Sequence, residues 1–83
     1  MTIRIHQHAM QRMRERGATA LQVRRAVLAG HATPAKFGRM RFRHVLAFGA
    51  VWSGKRYARK QLDVLAAKMP DGWLVVTVIV KYF

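Results

Sequence analysis

Apolar residues recur at intervals of three and four from the start of the chain to Gly30, and this spacing predicts two amphipathic helices. The first helix is predicted over 6–16 and ends at Gly17, because glycine adopts the positive φ that helix C-termini favour. The second begins at Thr19, whose hydroxyl forms a capping-box pattern with the side chain of Gln22. Gly30 ends the second helix, and Pro34 shortly afterwards prevents its continuation.

Beyond Gly30 the hydrophobic period changes from about 3.6 to about 2, which predicts β-strands. The first strand is predicted over 37–48, with one apolar face and one basic face. The apolar face carries Met40, Phe42, His44, Leu46 and Phe48, and the basic face carries Arg39, Arg41 and Arg43. Residues 49–60 have no clear period, and we interpret them as a loop or a continuation of the strand. Ser53-Gly54 is a turn signal within them.

Two further strands are predicted at Gln61–Met69 and Trp73–Tyr82, joined by a turn at Pro70-Asp71-Gly72. The last strand is apolar on both faces, so we expect it in the centre of the sheet. A chain of 83 residues has few layers with which to cover both faces. We therefore expect either a strongly curved sheet or a partner, a second copy or an inhibitor, over the second face.

The order of these elements predicts an α+β fold, with two N-terminal helices packed on a curved, three- to four-stranded antiparallel sheet. The length allows one core, so residues 1–83 are predicted to form a single domain. The chain contains no cysteine and must fold on that core alone.

The charge points to a polyanionic partner. Sixteen Lys and Arg stand against three Asp and Glu, and the formal net charge is +13. Three carboxylates cannot pair sixteen cations, so a solvated surface with a few ion pairs explains little of this charge. Guanidinium groups match phosphate geometry, and aromatic rings stack on bases. The predicted RNA-binding residues are Arg39, Arg41, Arg43, Lys55, Arg56, Arg59 and Lys60, with Trp52 and Tyr57 among the last cluster as a stacking platform.

Several other classes of protein lack support in the sequence. No apolar run approaches the roughly 20 residues of a membrane span, and residues 1–6 lack the apolar region of a signal peptide. We expect a cytoplasmic protein without a membrane partner. The absence of cysteine and the few carboxylates argue against a metal site, and no phosphate-binding loop is present. We predict no metal and no cofactor.

One line of polar residues in the first helix could carry chemistry. His8, Arg12 and Arg16 are four residues apart and form a stripe beside the apolar face. An imidazole beside phosphate-binding guanidinium groups could act as the general acid or base in phosphodiester cleavage. The competing interpretation is that Arg16 binds carbonyls or Asp63 and holds the helix in place, with His8 at a helix cap or on the surface.

The remaining polar residues receive structural interpretations. His44 alternates onto the apolar strand face and is interpreted as a core histidine, with a catalytic role as the alternative. His6 and His31 are interpreted as helix-end or surface imidazoles. Glu15 and Asp63 are expected to pair with arginines.

The segment His8-x3-Arg12-Met13-x-Glu15-Arg16-Gly17, the helix end Val27-Leu28-x-Gly30 and the terminal run Leu74–Val78 together resemble a known family. It is a family of small bacterial domains of unknown function, seen alone and at the C-termini of polymorphic toxins. It is similar to the RelE/ParE and BrnT toxins, which have the barnase/EndoU/colicin/RelE-like ribonuclease fold. The resemblance implies helices on a curved antiparallel sheet and RNA cleavage, with His8, Arg12, Arg16 and Thr77 matching the signature positions.

Our first hypothesis is therefore a metal-independent endoribonuclease toxin of RelE-like type that acts on mRNA, tRNA or ribosomal RNA. His8 would move a proton, and Arg12, Arg16 and Arg41 would stabilise the developing negative charge. An acidic cognate antitoxin or immunity protein would be its partner, and a homodimer is a further possibility. The alternative is a non-catalytic module that binds nucleic acid or protein with the same basic surface.

Overall fold

The two predicted helices are present. The computed structural model describes residues 1–83, in which α1 spans Gln7–Arg16 and α2 spans Ala20–Ala29. The α1 N-terminus is capped by His6, whose Nδ1 accepts the His8 backbone N–H at 3.0 Å, and its C-terminus by Gly17 at φ 79°. Thr19 and Gln22 form the expected capping box at the start of α2. Local sequence signals therefore fix both helices.

The sheet is larger than predicted and mixed in direction. Its strands are β1 (Thr2–Ile5), β2 (His31–Pro34), β3 (Met40–Trp52), β4 (Lys55–Met69) and β5 (Gly72–Tyr82), and a short 3-10 turn at Lys36–Gly38 follows β2. The strand order is β1-β5-β4-β3-β2. Strand β1 runs parallel to β5, and the other neighbours are antiparallel. The fold is α+β as predicted, but three to four antiparallel strands were predicted and the sheet has five, because β1 and β2 were not predicted and β1 is parallel to its neighbour.

Strand β1 forms through contacts distant in sequence. It carries Ile3 into the core, and its first residue, Thr2, donates its N–H to the Asp71 carbonyl at 2.8 Å. At Gly72 the two strands approach so closely that a Cβ atom would lie 1.9 Å from the Thr2 carbonyl oxygen. Only a residue without a side chain permits this pairing at that point.

Residues 49–60 belong to a long hairpin. Strands β3 and β4 continue to a tight turn at Ser53 (φ 52°) and Gly54 (φ 84°), and two positive φ values are what a type I′ hairpin turn requires. The pairing is interrupted by a bulge between Ala47 and Ala50. Of the two interpretations of residues 49–60, the continuation of the strand is therefore confirmed, and the loop is wrong.

The second predicted hairpin is confirmed. Strand β4 ends at Met69 and β5 begins at Gly72, and these two residues pair across the turn. Strand β5 lies between β1 and β4, the central position that its apolar composition predicts.

The core lies between the helices and one face of the sheet. It contains thirteen buried apolar residues: Ile3, Ala9, Met13, Ala18, Val23, Ala26, Val27, Phe42, Leu62, Val64, Ala66, Val75 and Val78. Complete burial of a side chain such as Leu62 contributes about 1.5–3 kcal/mol. Helix α1 packs on β5, and α2 packs on β3 and β4. Neither helix is long and apolar enough to cross a membrane.

Candidate nucleic-acid interface

The face of the sheet opposite the helices is uncovered, and we call it the open face. Side chains alternate between the faces of a strand, so the residues that pair with one another across the sheet share a face. By this register the open face carries His31 and Thr33 of β2, Arg41, Arg43 and Val45 of β3, Asp63, Leu65 and Ala67 of β4, and Leu74, Thr77 and Ile79 of β5. Arg39 directly precedes β3 in extended backbone, two residues before Arg41, so alternation puts it on the same side.

The basic strand face predicted from the sequence is therefore the open face. Arg41 and Arg43 occupy alternate positions of β3, as the period of two required, and Arg39 lies in extended backbone just before the strand begins. The residues between these arginines, Met40 and Phe42, point to the other face of the strand. Phe42 belongs to the core, and Met40 packs against it. Packing of the helices on the apolar side leaves the arginines on the solvent side.

Arg43 is held by a carboxylate. Its Nε donates to Asp63 Oδ1 at 2.8 Å, and its Nη2 donates to Oδ2 at 3.1 Å. The hydrogen bonds and charge of Asp63 raise the pKa of Arg43. The Arg43 side chain is half exposed, so its remaining N–H donors face water in a fixed orientation. Asp63 is thus the arginine partner that the sequence predicted.

Arg39 and Arg41 have buried donors without partners. The Nε atom of each is shielded from solvent and makes no hydrogen bond. The guanidinium carbon of Arg39 lies 5.8 Å from the centre of the Phe37 ring, close enough for a cation–π contact. Neither guanidinium donates a hydrogen bond to the protein through its Nη atoms either, and both side chains are partly exposed, so it is the Nη groups that are available to an external acceptor.

One of the predicted catalytic residues lies on the same face. Thr77 of β5 pairs with Leu65 of β4, and Leu65 pairs with Arg41 of β3. The row Thr33, Arg41, Leu65 and Thr77 therefore crosses four strands, and we call it the Arg41 row. The neighbouring row, His31, Arg43, Asp63 and Ile79, is called the Arg43 row.

His8 and Arg12 lie away from this face, on α1. Arg12 donates from Nη1 to Glu15 Oε1 at 2.9 Å, and this hydrogen bond lowers the pKa of Glu15. His8 is exposed, and its backbone N–H is the group that His6 caps. The structure thus separates His8 and Arg12 from Thr77, which stands on the opposite side of the sheet.

Arg16 fastens α1 to the sheet. Its Nη1 donates to the Val78 carbonyl at 2.6 Å, and the Tyr82 hydroxyl donates to the Arg16 carbonyl at 2.6 Å. These bonds tie the end of the helix to the second half of β5. This part of the strand follows Val75, the last residue of β5 that pairs with β1. The structural interpretation of Arg16, in which the guanidinium binds a carbonyl, describes this contact.

Lys60, which was predicted to bind RNA, is buried in the structure. It is 2% exposed, and its Nζ donates to the Gly17 carbonyl and, at 3.0 Å, to Gln22 Oε1. The centres of the Phe48 and Tyr82 rings lie 5.6 and 5.5 Å from the ammonium. Burial lowers the pKa of Lys60. The side chain joins the two helices at their corner and has no free surface.

The expected base-stacking pair also serves the fold. Trp52 stacks on Tyr82 with ring centres 5.1 Å apart and planes 15° apart, and Tyr57 lies 5.6 Å from the same ring. Trp52 packs so closely on Gly17 that a Cβ atom there would lie 2.6 Å from the indole. The basic residues of this segment that stay exposed are Lys55, Arg56 and Arg59.

The other histidine positions are one that the sequence predicted, His44, and one that it did not, His31. His44 pairs with Leu62 on the helix-covered face and is partly buried, as its alternation suggested. His31 pairs with Arg43 and is exposed on the open face. It was interpreted only as a surface imidazole, because β2 itself was not predicted. The signal that could have found it is the pattern Gly-His-x-Thr directly before the basic strand.

Comparison with known proteins gives a family. A model described as a domain of unknown function, DUF4258, matches residues 5–80. No curated protein and no solved structure matches the chain. The match spans both helices, strands β2 to β4 and most of β5, and it leaves out all of β1 except Ile5. The chain therefore belongs to the DUF4258 family.

Proposed function

We propose that this protein is a small RNA-targeting domain that binds RNA across the open face. The observation that carries the proposal is the line of Arg39, Arg41 and Arg43 on a sheet face that neither helix covers. In its finer form the proposal is a RelE-like toxin that cleaves RNA without a metal ion in the cytoplasm and is restrained by an acidic partner. The resemblance described above supports that form.

The geometry suits an extended polyanion. Alternate residues of a strand are about 6.6 Å apart, so the three arginines form a line roughly 13 Å long. Arg43 is oriented by Asp63, while the partly exposed side chains of Arg39 and Arg41 donate no hydrogen bond to the protein. A phosphate backbone laid along β3 would supply acceptors to all three side chains and would relieve the repulsion among them.

A second candidate function is favoured by the apolar residues beside the arginines. Leu65, Leu74 and Ile79 lie on the open face, and Ile79 is 45% exposed. Aliphatic side chains next to arginines suit a protein segment that is both apolar and acidic, or a second copy of the chain. In that case the open face would bind protein and leave RNA binding to other basic residues.

Salt dependence of RNA binding separates the two candidates. The test variant is Arg39→Gln/Arg41→Gln, and its control is Arg24→Gln/Arg25→Gln, which removes the same charge from exposed positions of α2. Affinity for a single-stranded RNA oligonucleotide is measured by fluorescence anisotropy over a range of salt. Each phosphate contact contributes about 0.7 to the slope of log K against log salt, so the test variant should lose about 1.4. The control should keep the wild-type slope.

The proposal fails if both double variants lose the same slope, because binding would then follow net charge alone. Arg43 is left unchanged here, since its removal would leave the buried Asp63 carboxylate unpaired and would lower stability. Cleavage is tested on the same oligonucleotide in excess EDTA, where a metal-independent nuclease keeps its full rate.

A further inference from the structure

Strand β2 brings an imidazole next to the arginines of the open face. His31 pairs with Arg43, and Arg43 pairs with Asp63, so the three side chains follow one another across β2, β3 and β4. Residues directly opposite in an antiparallel pair have Cβ atoms about 4.5–5.5 Å apart. His6 caps α1, His8 lies on α1, and His44 faces the helices. His31 is therefore the histidine of the open face.

The Arg43 row holds groups with complementary chemical roles. Asp63 occupies the Nε and Nη2 donors of Arg43, which fixes the guanidinium and leaves its other N–H groups for a ligand. Arg41 stands in the neighbouring row, partly exposed, and its Nη groups donate no hydrogen bond to the protein. Two guanidinium groups can bind the non-bridging oxygens of one phosphodiester and offset the charge that develops on them. An exposed imidazole at the edge of these arginines can exchange a proton with an adjacent ribose.

We infer that His31 is the general base of a phosphodiester-cleaving site formed by the Arg43 and Arg41 rows, with RNA as its substrate. This inference rests on the proposed function. His31 accepts the proton of a ribose 2′-hydroxyl, whose oxygen forms a bond to the adjacent phosphorus. The bond from phosphorus to the 5′ oxygen breaks, and that oxygen takes a proton from water at the exposed face. The products are a 2′,3′-cyclic phosphate and a 5′-hydroxyl, with no oxidant, reductant or other reactant.

The assignment distinguishes His31 from His8, which the resemblance places in the catalytic role. His8 shares α1 with Arg12, whose guanidinium is paired with Glu15, and with Arg16, which is bound to the Val78 carbonyl. His31 has beside it arginines that keep free donors. The inference also requires RNA rather than DNA as the substrate, because DNA lacks the hydroxyl that His31 deprotonates.

The experiment compares wild type, His31→Ala, His8→Ala and Arg24→Gln on a single-stranded RNA oligonucleotide in EDTA. Products are identified by mass spectrometry. Binding is measured separately on a 2′-O-methyl oligonucleotide of the same sequence, which cannot be cleaved by this route. Circular dichroism verifies that each variant is folded. We expect His31→Ala to lose about 10²–10⁴-fold in cleavage rate while binding the 2′-O-methyl strand as wild type does. Arg24→Gln should match wild type in both assays.

The other results of these assays would contradict either this inference or the proposed function. Wild-type cleavage by folded His31→Ala overturns this inference, and loss of cleavage in His8→Ala alone assigns the reaction to the helix. A wild-type protein that binds RNA across the open face without cleaving it overturns the inference and leaves the proposed binding function intact. A protein that does not bind the 2′-O-methyl strand contradicts the proposed function itself.

Discussion

Replacement of Lys60 by methionine tests whether the most deeply buried cation of the chain serves the fold. The side chain is 2% exposed, and its Nζ donates to the Gly17 carbonyl at the end of α1 and to Gln22 Oε1. The rings of Phe48 and Tyr82 lie within 6 Å of the ammonium, at 5.6 and 5.5 Å. Methionine has a similar length and fills the same space, but it has no donor for either oxygen.

The expected loss of stability follows from these bonds. A hydrogen bond from a charged donor contributes about 1.5–3 kcal/mol to stability. The loss on substitution is reduced because the Lys60→Met variant does not have to bury an ammonium group. Gln22 Oε1 keeps the Thr19 N–H as a partner, so the Gly17 carbonyl is the group left unpaired. We expect a net loss of about 2 kcal/mol in the free energy of unfolding, or roughly 8–16 °C in Tm for a domain of this size. Urea denaturation followed by tryptophan fluorescence measures it.

The pH dependence gives a second check with a defined sign. Burial lowers the pKa of Lys60 below its ordinary value of 10.5. Between the lowered pKa and 10.5 the unfolded chain therefore binds more protons than the folded one, and stability from this residue rises with pH. The stability advantage of wild type over Lys60→Met should widen as pH rises through that interval. The raised pKa of Tyr82 affects both proteins alike and drops out of the difference.

Lys55→Met is the matched control, because Lys55 is exposed on the same strand and makes no hydrogen bond to the helices. It should keep wild-type stability. A Lys60→Met protein that is as stable as wild type and binds RNA with a weaker salt dependence would refute the reasoning. The lysine would then reach the surface and contact phosphate.

Two other substitutions test how the edges of the fold are held. Gly72→Ala should destabilise the protein by about 1–3 kcal/mol and speed amide hydrogen exchange of β1, because the new Cβ would collide with the Thr2 carbonyl oxygen; unchanged exchange would contradict this close approach. Arg16→Gln should lower the free energy of unfolding by about 1–3 kcal/mol, since the Val78 carbonyl loses a charged donor. It should leave the salt dependence of RNA binding unchanged, and a smaller slope would show that Arg16 contacts phosphate.

The sequence predicts those parts of the fold that depend on neighbouring residues. The capping box at Thr19, the C-terminal glycine at position 17 and the turn before Gly72 are local signals, and all three stand where they were expected. Strand β1 has only four residues and pairs with β5, which begins near the other end of the chain. Its parallel direction depends on that distant contact, which local periodicity does not contain.

In the candidate site, too, local sequence signals predicted some features, and others depend on contacts between distant residues. The alternation around Arg41 predicted a basic strand face, and the structure has it. Which face stays uncovered depends on how the helices pack, and the place of His31 depends on β2, a strand of four residues that ends in Pro34. Lys60 follows other basic residues in sequence, yet it turns inward because it faces Gly17 and Gln22 at the corner of the helices. Nothing within its own segment indicates that contact.

The proposal that RNA lies on the open face is tested most directly by methyl NMR. Val45 and Ile79 are exposed methyl-bearing residues of the open face, at 42% and 45%, and Leu21 and Leu28 are exposed on α2 at 58% and 65%. The protein, labelled with ¹³C at its methyl groups, is titrated with the 2′-O-methyl oligonucleotide. We predict chemical-shift changes and intermolecular NOEs to ribose at Val45, Ile79 and the partly buried Leu65, with Leu21 and Leu28 unaffected. Changes confined to Leu21 and Leu28 would place the RNA on the helices and contradict the proposal.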